Sequence, residues 1–259
     1  MKSVFFGLAA IIIIIAVAIP AYAQVDGLIL YLPFDEGAGD VVKDLSGHGN
    51  DGEIMGADWA VGSDGSGLEF NGADAYVEVP YDEMFSLTES FTLAAWVKPA
   101  QSPFTGEQWR GIVNGQKTNH GPYLLQMSAS NGEIGAWLAG NWVWQVTTAV
   151  LDTESFWHLV GTYDVDEGFK NYVNGEFDSQ NATAGTEVIE NVDEGVVIGH
   201  NYSFANRWFE GVIDEVAIFN RALELEEVET LYNGGVKEAV SAVDPSVALT
   251  TTWAKVKAH

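Results

Sequence analysis

Apolar and polar side chains alternate with a period of two along most of the chain, in short runs separated by Gly, Asn and Asp. This alternation is the pattern of β-strands. About a dozen such runs with turn residues between them predict an all-β sandwich or barrel. The predicted strands are Leu28–Phe34, Gly67–Phe70, Tyr76–Val79, Phe91–Lys98, Ile112–Gln116, Tyr123–Met127, Glu133–Leu138, Val143–Val150, Trp157–Asp164, Phe169–Val173, Val196–Gly199 and Phe209–Phe219.

The stretch Phe209–Leu223 contains the clearest of these runs, which alternates through Val212, Asp214, Val216 and Ile218. Apolar residues also occupy the positions between them, which predicts a central strand covered on both faces. Asp214 stands in the middle of that strand. Because a buried carboxylate needs a cation or a set of hydrogen bonds, Asp214 is the first candidate for a site.

Turn and helix signals separate the strands. Asn174-Gly175 predicts a hairpin with a type I′ turn, and Asn131-Gly132 gives the same signal. The segment Val41–Gly52 is dense in Gly, Asp and Asn, which indicates a loop rich in oxygen atoms. Apolar residues recur at helical spacing within Leu223–Tyr232, which predicts a short C-terminal helix that ends at Asn233–Gly235.

The two ends of the chain differ from the middle. Met1–Ala23 has a lysine, an apolar run and an A-x-A site, the layout of a secretory signal peptide, with an uncleaved membrane anchor as the alternative. The expected domain is 24–235, secreted, periplasmic or at the cell surface, with no membrane span after the signal is removed. The tail Val236–His259 is either a frayed terminus or a docking or sorting segment.

Charge restricts the possible partners. The chain has 11 Lys and Arg against 37 Asp and Glu, a net charge of −26, and no Cys. Nucleic acids and anionic membranes require basic surfaces, so both are excluded as expected partners. The acidic balance suits a solvated surface or divalent cations. Without disulfides, stability must come from packing, and a bound metal can add to it.

Six segments in a fixed order resemble the laminin-G-like, concanavalin A-like lectin/glucanase jelly-roll family of exported bacterial proteins. They are Leu30–Glu36 (LYLPFDE), Asp44–Gly52 (DLSGHGNDG), Leu68–Val79 (LEFNGADAYVEV), Phe91–Pro99 (FTLAAWVKP), Trp157–Gly175 (WHLVGTYDVDEGFKNYVNG) and Phe209–Leu223 (FEGVIDEVAIFNRAL). The resemblance runs from Leu28 to about Gly235. It implies a two-sheet antiparallel jelly-roll sandwich with one concave sheet and with the first and last strands adjacent.

The resemblance also implies a structural calcium site, and calcium is the expected cofactor. Carried over to this sequence, Asp214 supplies a carboxylate, Asn71 or Gly72 a main-chain carbonyl, Asp35 completes the inner set, and Asp44 is an outer ligand. Calcium takes six to eight oxygen ligands, which these loops offer. The alternatives are that Asp214 is a metal-free brace held by N–H donors and that Asp44 closes an Asx turn.

Catalysis is not expected. Glycan hydrolysis needs two carboxylates about 5–9.5 Å apart, and the predicted strands are poor in acids, with Glu133 alone on its strand. His158 is expected to be a packed strand residue bonded to backbone. A divergent glycan hydrolase or lyase stays open as an alternative, as does a structural protein–protein module of the cell envelope.

Aromatic and amide side chains in the middle of the chain favour a binding function. Trp142 and Trp144 share one face of a strand, and Trp137, Asn141 and Trp109 lie nearby in sequence. Sugar sites stack a ring face on Trp and bind hydroxyls with amides, so these five residues are the candidate ligand site. The expected partner is a glycan or an extracellular or cell-surface protein. The alternative is that the rings fill the core.

Overall fold

The computed structural model describes residues 26–103, 109–115, 122–138, 141–183, 188, 195–201 and 205–243. The predicted signal peptide, 1–23, and positions 244–259 of the tail lie outside them. In chain order the elements are β1 (Leu28–Leu32), β2 (Val41–Val42), β3 (Gly52–Met55), β4 (Asp58–Val61), β5 (Ser66–Asn71), β6 (Tyr76–Val79), a 3-10 turn (Glu83–Phe85), β7 (Ser90–Pro99), β8 (Trp109–Asn114), β9 (Tyr123–Ser128), β10 (Asn131–Leu138), β11 (Asn141–Val146), β12 (Trp157–Asp164), β13 (Gly168–Val173), β14 (Glu176–Asn181), β15 (Val196–Ile198), β16 (Glu210–Phe219) and α1 (Leu225–Val243).

The strands form two antiparallel sheets of eight strands each. Sheet A has the order β14-β13-β12-β7-β16-β5-β4, and β1 also pairs with β16. Sheet B has the order β11-β10-β9-β8-β15-β6-β3-β2. The apolar faces of the two sheets enclose one large core. This arrangement confirms the predicted two-sheet jelly-roll sandwich.

Strand β16 is at the centre of sheet A. One of its edges pairs with β7, and the other pairs first with β5 and then with β1. Ile213, Val216 and Ile218 are buried in the main core, whereas Ala217 and Phe219 are buried on the opposite side. The predictions that this strand is central, covered on both faces and adjacent to the first strand are therefore confirmed.

Helix α1 covers the outer face of sheet A. A second apolar cluster joins the helix to that face. Its buried members are Leu28, Tyr31, Ala94, Val160, Tyr172, Ala217, Phe219, Leu223, Val228, Leu231 and Val236. The outer face of sheet B points away from this helix.

Some local predictions were wrong. Three short strands, β2, β3 and β4, were not predicted, and β14 was predicted only as the second arm of the hairpin at Asn174-Gly175. The turn between β9 and β10 consists of Ala129 and Ser130, because Ser128 pairs with Asn131. Asn131 instead belongs to β10 and donates two side-chain hydrogen bonds to the carbonyls of Thr147 and Ala149.

The predicted turn at Asn174-Gly175 is confirmed, since both residues have positive φ angles, 51° and 80°. Helix α1 continues beyond its predicted end at Tyr232. It consists of two helical segments that meet at Gly235, whose φ of 70° and ψ of −176° are not helical. Within the part of the chain described here, no helix combines the length and apolar character needed to span a bilayer.

Candidate functional site

The outer face of sheet B carries most of the predicted ligand residues. On β10, Ile134 and Ala136 are buried in the core between the sheets. Because side chains alternate along a strand, Glu133, Gly135 and Trp137 point to the outer face. This alternation gives strand β10 one apolar face for folding and one mixed face that the core does not use.

The pairing of β10 with β11 adds two more tryptophans to this face. Trp142 pairs with Trp137, and Trp144 pairs with Gly135. Paired residues of an antiparallel sheet point the same way, so all three rings lie on the outer face. The rings of Trp137 and Trp142 meet edge to face with centroids 5.7 Å apart. Trp144 is 51% exposed.

Trp109 joins the same face from β8, where it pairs with Ser128 next to the buried Met127. The Trp109 ring is 39% exposed, and the guanidinium of Arg207 lies 4.8 Å from its centroid. Asn141 does not belong to this set, because it pairs with Leu138, a residue of the core side. The structure thus places four of the five predicted ligand residues on one face. Trp137, Trp142 and Trp144 lie together, whereas Trp109 is in the row of Asn131, six residues or about 20 Å along the strands from Trp137.

A line of hydrogen-bonded polar side chains lies between the tryptophans. The Gln126 Nε2 donates a 2.5 Å hydrogen bond to the Glu133 carboxylate. The Gln126 Oε1 accepts a 2.9 Å hydrogen bond from the Asn201 Nδ2. All three are at least 96% buried. Burial raises the pKa of Glu133, while hydrogen bonds from Gln126 and Ser128 and the charge of Arg207 act in the opposite direction.

A close backbone approach positions Asn201 and Arg207. The backbone N–H groups of Gly111 and Asn201 both donate to the carbonyl of Arg207, over 3.2 and 3.1 Å. A Cβ atom on Gly111 would lie 2.3 Å from the Asn201 nitrogen, so only glycine permits this contact. The chain therefore crosses directly over β8 and brings an amide and a guanidinium to the face.

Gly135 places no side chain on the outer face, and a Cβ there would lie 3.0 Å from the Val143 carbonyl oxygen and 3.1 Å from the Trp144 Cβ. In its row across the sheet it is flanked by Trp144 on β11 and Leu124 on β9, and Leu124 pairs in turn with Asn114 on β8. Asn114 is 2% exposed, and its Oδ1 has no hydrogen-bond partner among the described residues. The face therefore combines an aromatic edge with an acceptor that has no partner among the described residues.

Sequence reasoning missed the polar part of this site. Gln126, Asn114, Asn201 and Arg207 were not predicted, and Glu133 was considered only as an isolated acid. The alternation on β9 could have predicted that Gln126 points to the outer face, because it lies between Leu125 and Met127, which are buried in the core. The contribution of the segment around Asn201 depends on the tertiary contact at Gly111, which local pattern does not reveal.

The predicted calcium ligands occupy different places. Asp214 is fully buried, and its carboxylate accepts four hydrogen bonds: from Ser63 N (2.8 Å), Ser63 Oγ (2.9 Å), Asp64 N (3.2 Å) and Glu215 N (2.9 Å). Burial raises the pKa of Asp214 to about 6, against the opposing effect of these donors. Asp214 thus holds the β4–β5 turn to strand β16.

The Asn71-Gly72 turn lies at the other end of β5. Asn71 pairs with Glu210, whereas Asp214 follows Ile213, which pairs with Leu68. Four residues of strand, about 13 Å, separate the two positions. The Asn71 Oδ1 accepts three backbone N–H bonds within its own turn, from residues 73, 74 and 75.

Asp35 and Asp44 complete the predicted set. Asp35 is exposed and touches the same β4–β5 turn, where a Cβ on Gly65 would lie 2.3 Å from its Oδ1. Asp44 braces the glycine-rich loop, since its carboxylate accepts bonds from Tyr31 N, Ser46 N, Ser46 Oγ and Asn50 N. Asp35 and Asp214 therefore share a turn, and Asp44 and Asn71-Gly72 lie apart from it.

The donor chemistry around Asp214 does not fit calcium. A cation site needs converging oxygen atoms, and Asp214 is surrounded by N–H groups and one hydroxyl. No cluster of three or more His, Cys, Asp or Glu side chains suited to a metal occurs in the described parts of the chain. The five predicted ligands do not converge, and calcium binding stays a prediction.

Comparison with known proteins supports the family resemblance. The sequence pattern of the concanavalin A-like lectin/glucanases superfamily matches residues 71–229. No curated protein matches the chain.

Several solved structures are similar in fold. Domain 4 of AbnA, a GH43 extracellular arabinanase from Geobacillus stearothermophilus in complex with arabinotriose, is 22% identical with a TM-score of 0.65; the match covers 81% of this chain and all of that one. The binding domain of Paraclostridial Mosquitocidal Protein 1 is 20% identical with a TM-score of 0.65, covering 80% of this chain and 52% of that one.

The receptor binding domain of a botulinum neurotoxin C/D mosaic serotype is 19% identical with a TM-score of 0.63, covering 80% of this chain and 51% of that one. This chain therefore spans about half the length of the two toxin domains. At these identities the likeness shows the fold alone.

Proposed function

Because the chain belongs to the concanavalin A-like lectin/glucanases superfamily, we propose that it is an exported, non-catalytic carbohydrate-binding module that binds its ligand on the outer face of sheet B. The observation that carries this proposal is the combination of Trp109, Trp137, Trp142 and Trp144 with buried, hydrogen-bonded amides on one face. Indole rings offer flat apolar surface, and amides offer donors and acceptors in fixed positions. Sugars present both kinds of surface.

The related structures support a binding role. One of them is a domain described in complex with arabinotriose, and two are toxin domains described as binding or receptor-binding domains. Arabinotriose is therefore the first oligosaccharide to test. Export rests on the signal-like Met1–Ala23, and a docking or sorting role for the tail rests on Val236–His259, of which the structure describes the helical residues up to Val243.

The non-catalytic part is supported by the isolation of Glu133, the one acid on the strands that carry the tryptophans. On the described strands of sheet B the acids are Glu133 on β10, Glu78 on β6 and Glu53 on β3. Glu133 and Glu78 are four strands apart, about 19 Å at the usual strand spacing. Glu53 and Glu78 are instead paired directly across β3 and β6, at the far end of the sheet from Trp137, Trp142 and Trp144. Paired glycosidase carboxylates are about 5–9.5 Å apart.

A binding experiment tests the proposal. The purified chain is screened on a glycan array, and arabinotriose and the strongest hits are then titrated by calorimetry. We expect Trp144→Ala to weaken binding about tenfold or more, which is ~1.4 kcal/mol or more. Phe177→Ala is the matched control, since Phe177 is also 51% exposed but lies on sheet A. Binding to no glycan, or equal loss in both variants, would contradict the proposal.

The same samples test catalysis. Each bound oligosaccharide is incubated with the chain and with Glu133→Gln, and the products are separated by chromatography. We expect no cleavage by either protein. Cleavage that disappears in Glu133→Gln would make the protein an enzyme and overturn the non-catalytic assignment.

A further inference from the structure

The last strands of the two sheets meet beside the tryptophan cluster of the proposed sugar-binding site. Strand β11, which carries Trp142 and Trp144, is the last strand of sheet B, and among the described strands it pairs only with β10. Strand β14 is the last strand of sheet A. A last strand has a second neighbour on one side only, so its remaining backbone groups need other hydrogen-bond partners. The bonds between β11 and sheet A therefore decide how firmly the tryptophan strand is held.

Three side chains of sheet A donate hydrogen bonds to the backbone of β11. The Asn181 Nδ2 donates a 3.1 Å bond to the carbonyl of Trp144. The next two carbonyls along the strand accept a 2.7 Å bond from the Asn171 Nδ2 and a 3.0 Å bond from the Ser179 Oγ. We call these three side chains, Asn171, Ser179 and Asn181, the seam. The seam thus attaches three successive residues of β11 to sheet A.

The seam residues point into the space between the sheets. Asn171 pairs with Ser179 across β13 and β14, and Asn181 pairs with Phe169, which belongs to the main core. Alternation along the strands places all of them on the inner face. Asn171 is 1% and Ser179 is 9% exposed. Because apolar residues at such positions are often as good for stability as a buried polar pair, the polar seam favours a role beyond packing.

The position of the Trp144 ring depends on its backbone. Its cross-strand neighbour is Gly135, which has no side chain to pack against the ring, and the Trp144 side chain is 51% exposed. Asn181 is itself fixed, because its Oδ1 accepts hydrogen bonds from the backbone N–H and the hydroxyl of Thr183, over 3.2 and 2.8 Å. The Asn181 Nδ2 is therefore held in its direction toward the Trp144 carbonyl.

Asp178 extends the attachment beyond the end of β11. Its carboxylate accepts hydrogen bonds from the backbone N–H groups of Thr148 and Ala149, over 2.6 and 3.0 Å, and from the Thr148 hydroxyl over 2.9 Å. The backbone that starts at Trp144 is thus bonded to β13 and β14 at its first residue and again at Ala149. This part of the chain is held from both ends.

The geometry points to a positioning role for the seam in glycan binding, with Asn181 as its main member. This inference rests on the proposed function, because the seam acts through Trp144 and does not itself lie on the outer face. A binding constellation has to be held within about 0.5 Å of its productive geometry by supporting residues. The seam supplies that support to β11, so loss of one of its bonds weakens binding more than it weakens the fold.

Isosteric variants test this role by calorimetry with arabinotriose, or with the strongest hit of the glycan array where arabinotriose does not bind. Asn181→Asp removes the donor to Trp144 and keeps the oxygen that accepts from Thr183. We expect about fivefold weaker binding, and the same for Asn181→Ala, which adds no charge. Asn233→Asp is the matched control with parental affinity expected, since the Asn233 Nδ2 also donates to a carbonyl, that of Glu229 in α1, over 2.7 Å.

A second readout follows the Trp144 ring itself, without glycan. The full chain is labelled with 5-fluorotryptophan, and the Trp144 resonance in the ¹⁹F NMR spectrum is assigned from Trp144→Phe. We expect this resonance to shift or broaden in Asn181→Asp and to stay unchanged in Asn233→Asp. Ser179→Ala removes a single oxygen atom and provides a milder test, with about twofold weaker binding. Urea unfolding shows that each variant is folded at the temperature of the titration.

The outcomes separate this inference from the proposed function. A parent protein that binds no glycan contradicts the proposed function, and the positioning role is then rejected with it. Binding by the parent that is unchanged in Asn181→Asp, Asn181→Ala and Ser179→Ala overturns the positioning role alone. Weaker binding with an unmoved Trp144 resonance also overturns it, because the seam would then not act through that ring.

Discussion

The outer faces of the two sheets are built on the same alternation but have different contents. On sheet A the outward residues include Ala94, Val160 and Phe219, and helix α1 buries them. On sheet B the outward residues include Trp144, which is 51% exposed, and no described helix lies over it. The alternation along a strand therefore predicts which residues point outward. How apolar those residues are indicates whether the chain covers the face or leaves it accessible to a ligand.

The difference extends to how polar groups are held. Near sheet A, Asp214 accepts four hydrogen bonds from the turn it braces, which leaves its oxygens occupied. On sheet B, Gln126 and Glu133 bond to each other, and Asn114 retains an acceptor without a partner among the described residues. The hydrogen bonds of Asp214 therefore stabilise the fold, whereas Asn114 still has an acceptor that a ligand could use.

The sharpest test of this contrast truncates one apolar residue on each face. Leu231→Ala removes a 3% exposed side chain from the cluster under α1, and we expect a loss of about 3 kcal/mol in the free energy of unfolding. Trp144→Ala should change it by about 0.5 kcal/mol or less, because half of that side chain is exposed. Urea unfolding followed by circular dichroism measures both.

Glycan binding provides the opposite readout for the same pair. Leu231→Ala should bind the glycan with unchanged affinity at temperatures where it is folded. Trp144→Ala should bind it about tenfold more weakly or worse. If Trp144→Ala destabilised the fold as much as Leu231→Ala, the outer face of sheet B would be part of the structural core.

Asp214→Ala tests the brace near sheet A. Removal of the carboxylate leaves the backbone N–H groups of Ser63, Asp64 and Glu215 without their acceptor, at about 2 kcal/mol in total. We expect the same loss in urea unfolding with added calcium and with EDTA.

Asp35→Ala is the control for that experiment, because Asp35 is exposed on the same turn. It should change stability by less than about 0.5 kcal/mol in both conditions. A loss in either variant that appears only with calcium would establish the predicted metal site and reject the metal-free brace.

Much of the fold was predictable because it depends on period and order. The central position of β16 followed from the apolar residues around Asp214, and the turn at Asn174-Gly175 followed from a local preference for positive φ. The turn at Ala129-Ser130 did not, because Asn131 is recruited by the carbonyls of Thr147 and Ala149, which are distant in sequence.

The site was predictable in its aromatic part only. Alternation places Trp142 and Trp144 on one face, and the same alternation puts Asn141 on the other, where it pairs with Leu138, so the predicted set of five included one residue that its own pattern excludes. The polar line depends on Asn201, which reaches Gln126 from 75 positions away. Contacts of that range are set by topology and not by local pattern.

The smallest expected effect concerns the attachment of α1 to sheet A. Arg221 donates two hydrogen bonds to Glu227, of 2.8 and 2.6 Å, and Glu227 also accepts the backbone N–H of Glu224 at the start of the helix. The bond from Arg221 lowers the pKa of Glu227, despite the opposing effect of burial. Both side chains are partly exposed, so solvent screening reduces the expected contribution to about 1 kcal/mol.

Because the folded-state pKa of Glu227 is below its unfolded value of about 4.3, its stabilisation is present above that pH and disappears as the pH falls through the folded value. Glu227→Gln should therefore be about 1 kcal/mol less stable than the parent at pH 7, and the difference should shrink below about pH 4. Urea midpoints across this range measure it, with the exposed Glu176→Gln as a control that shows no such trend. A difference independent of pH would mean that the pair holds α1 to sheet A by shape and packing and not by charge.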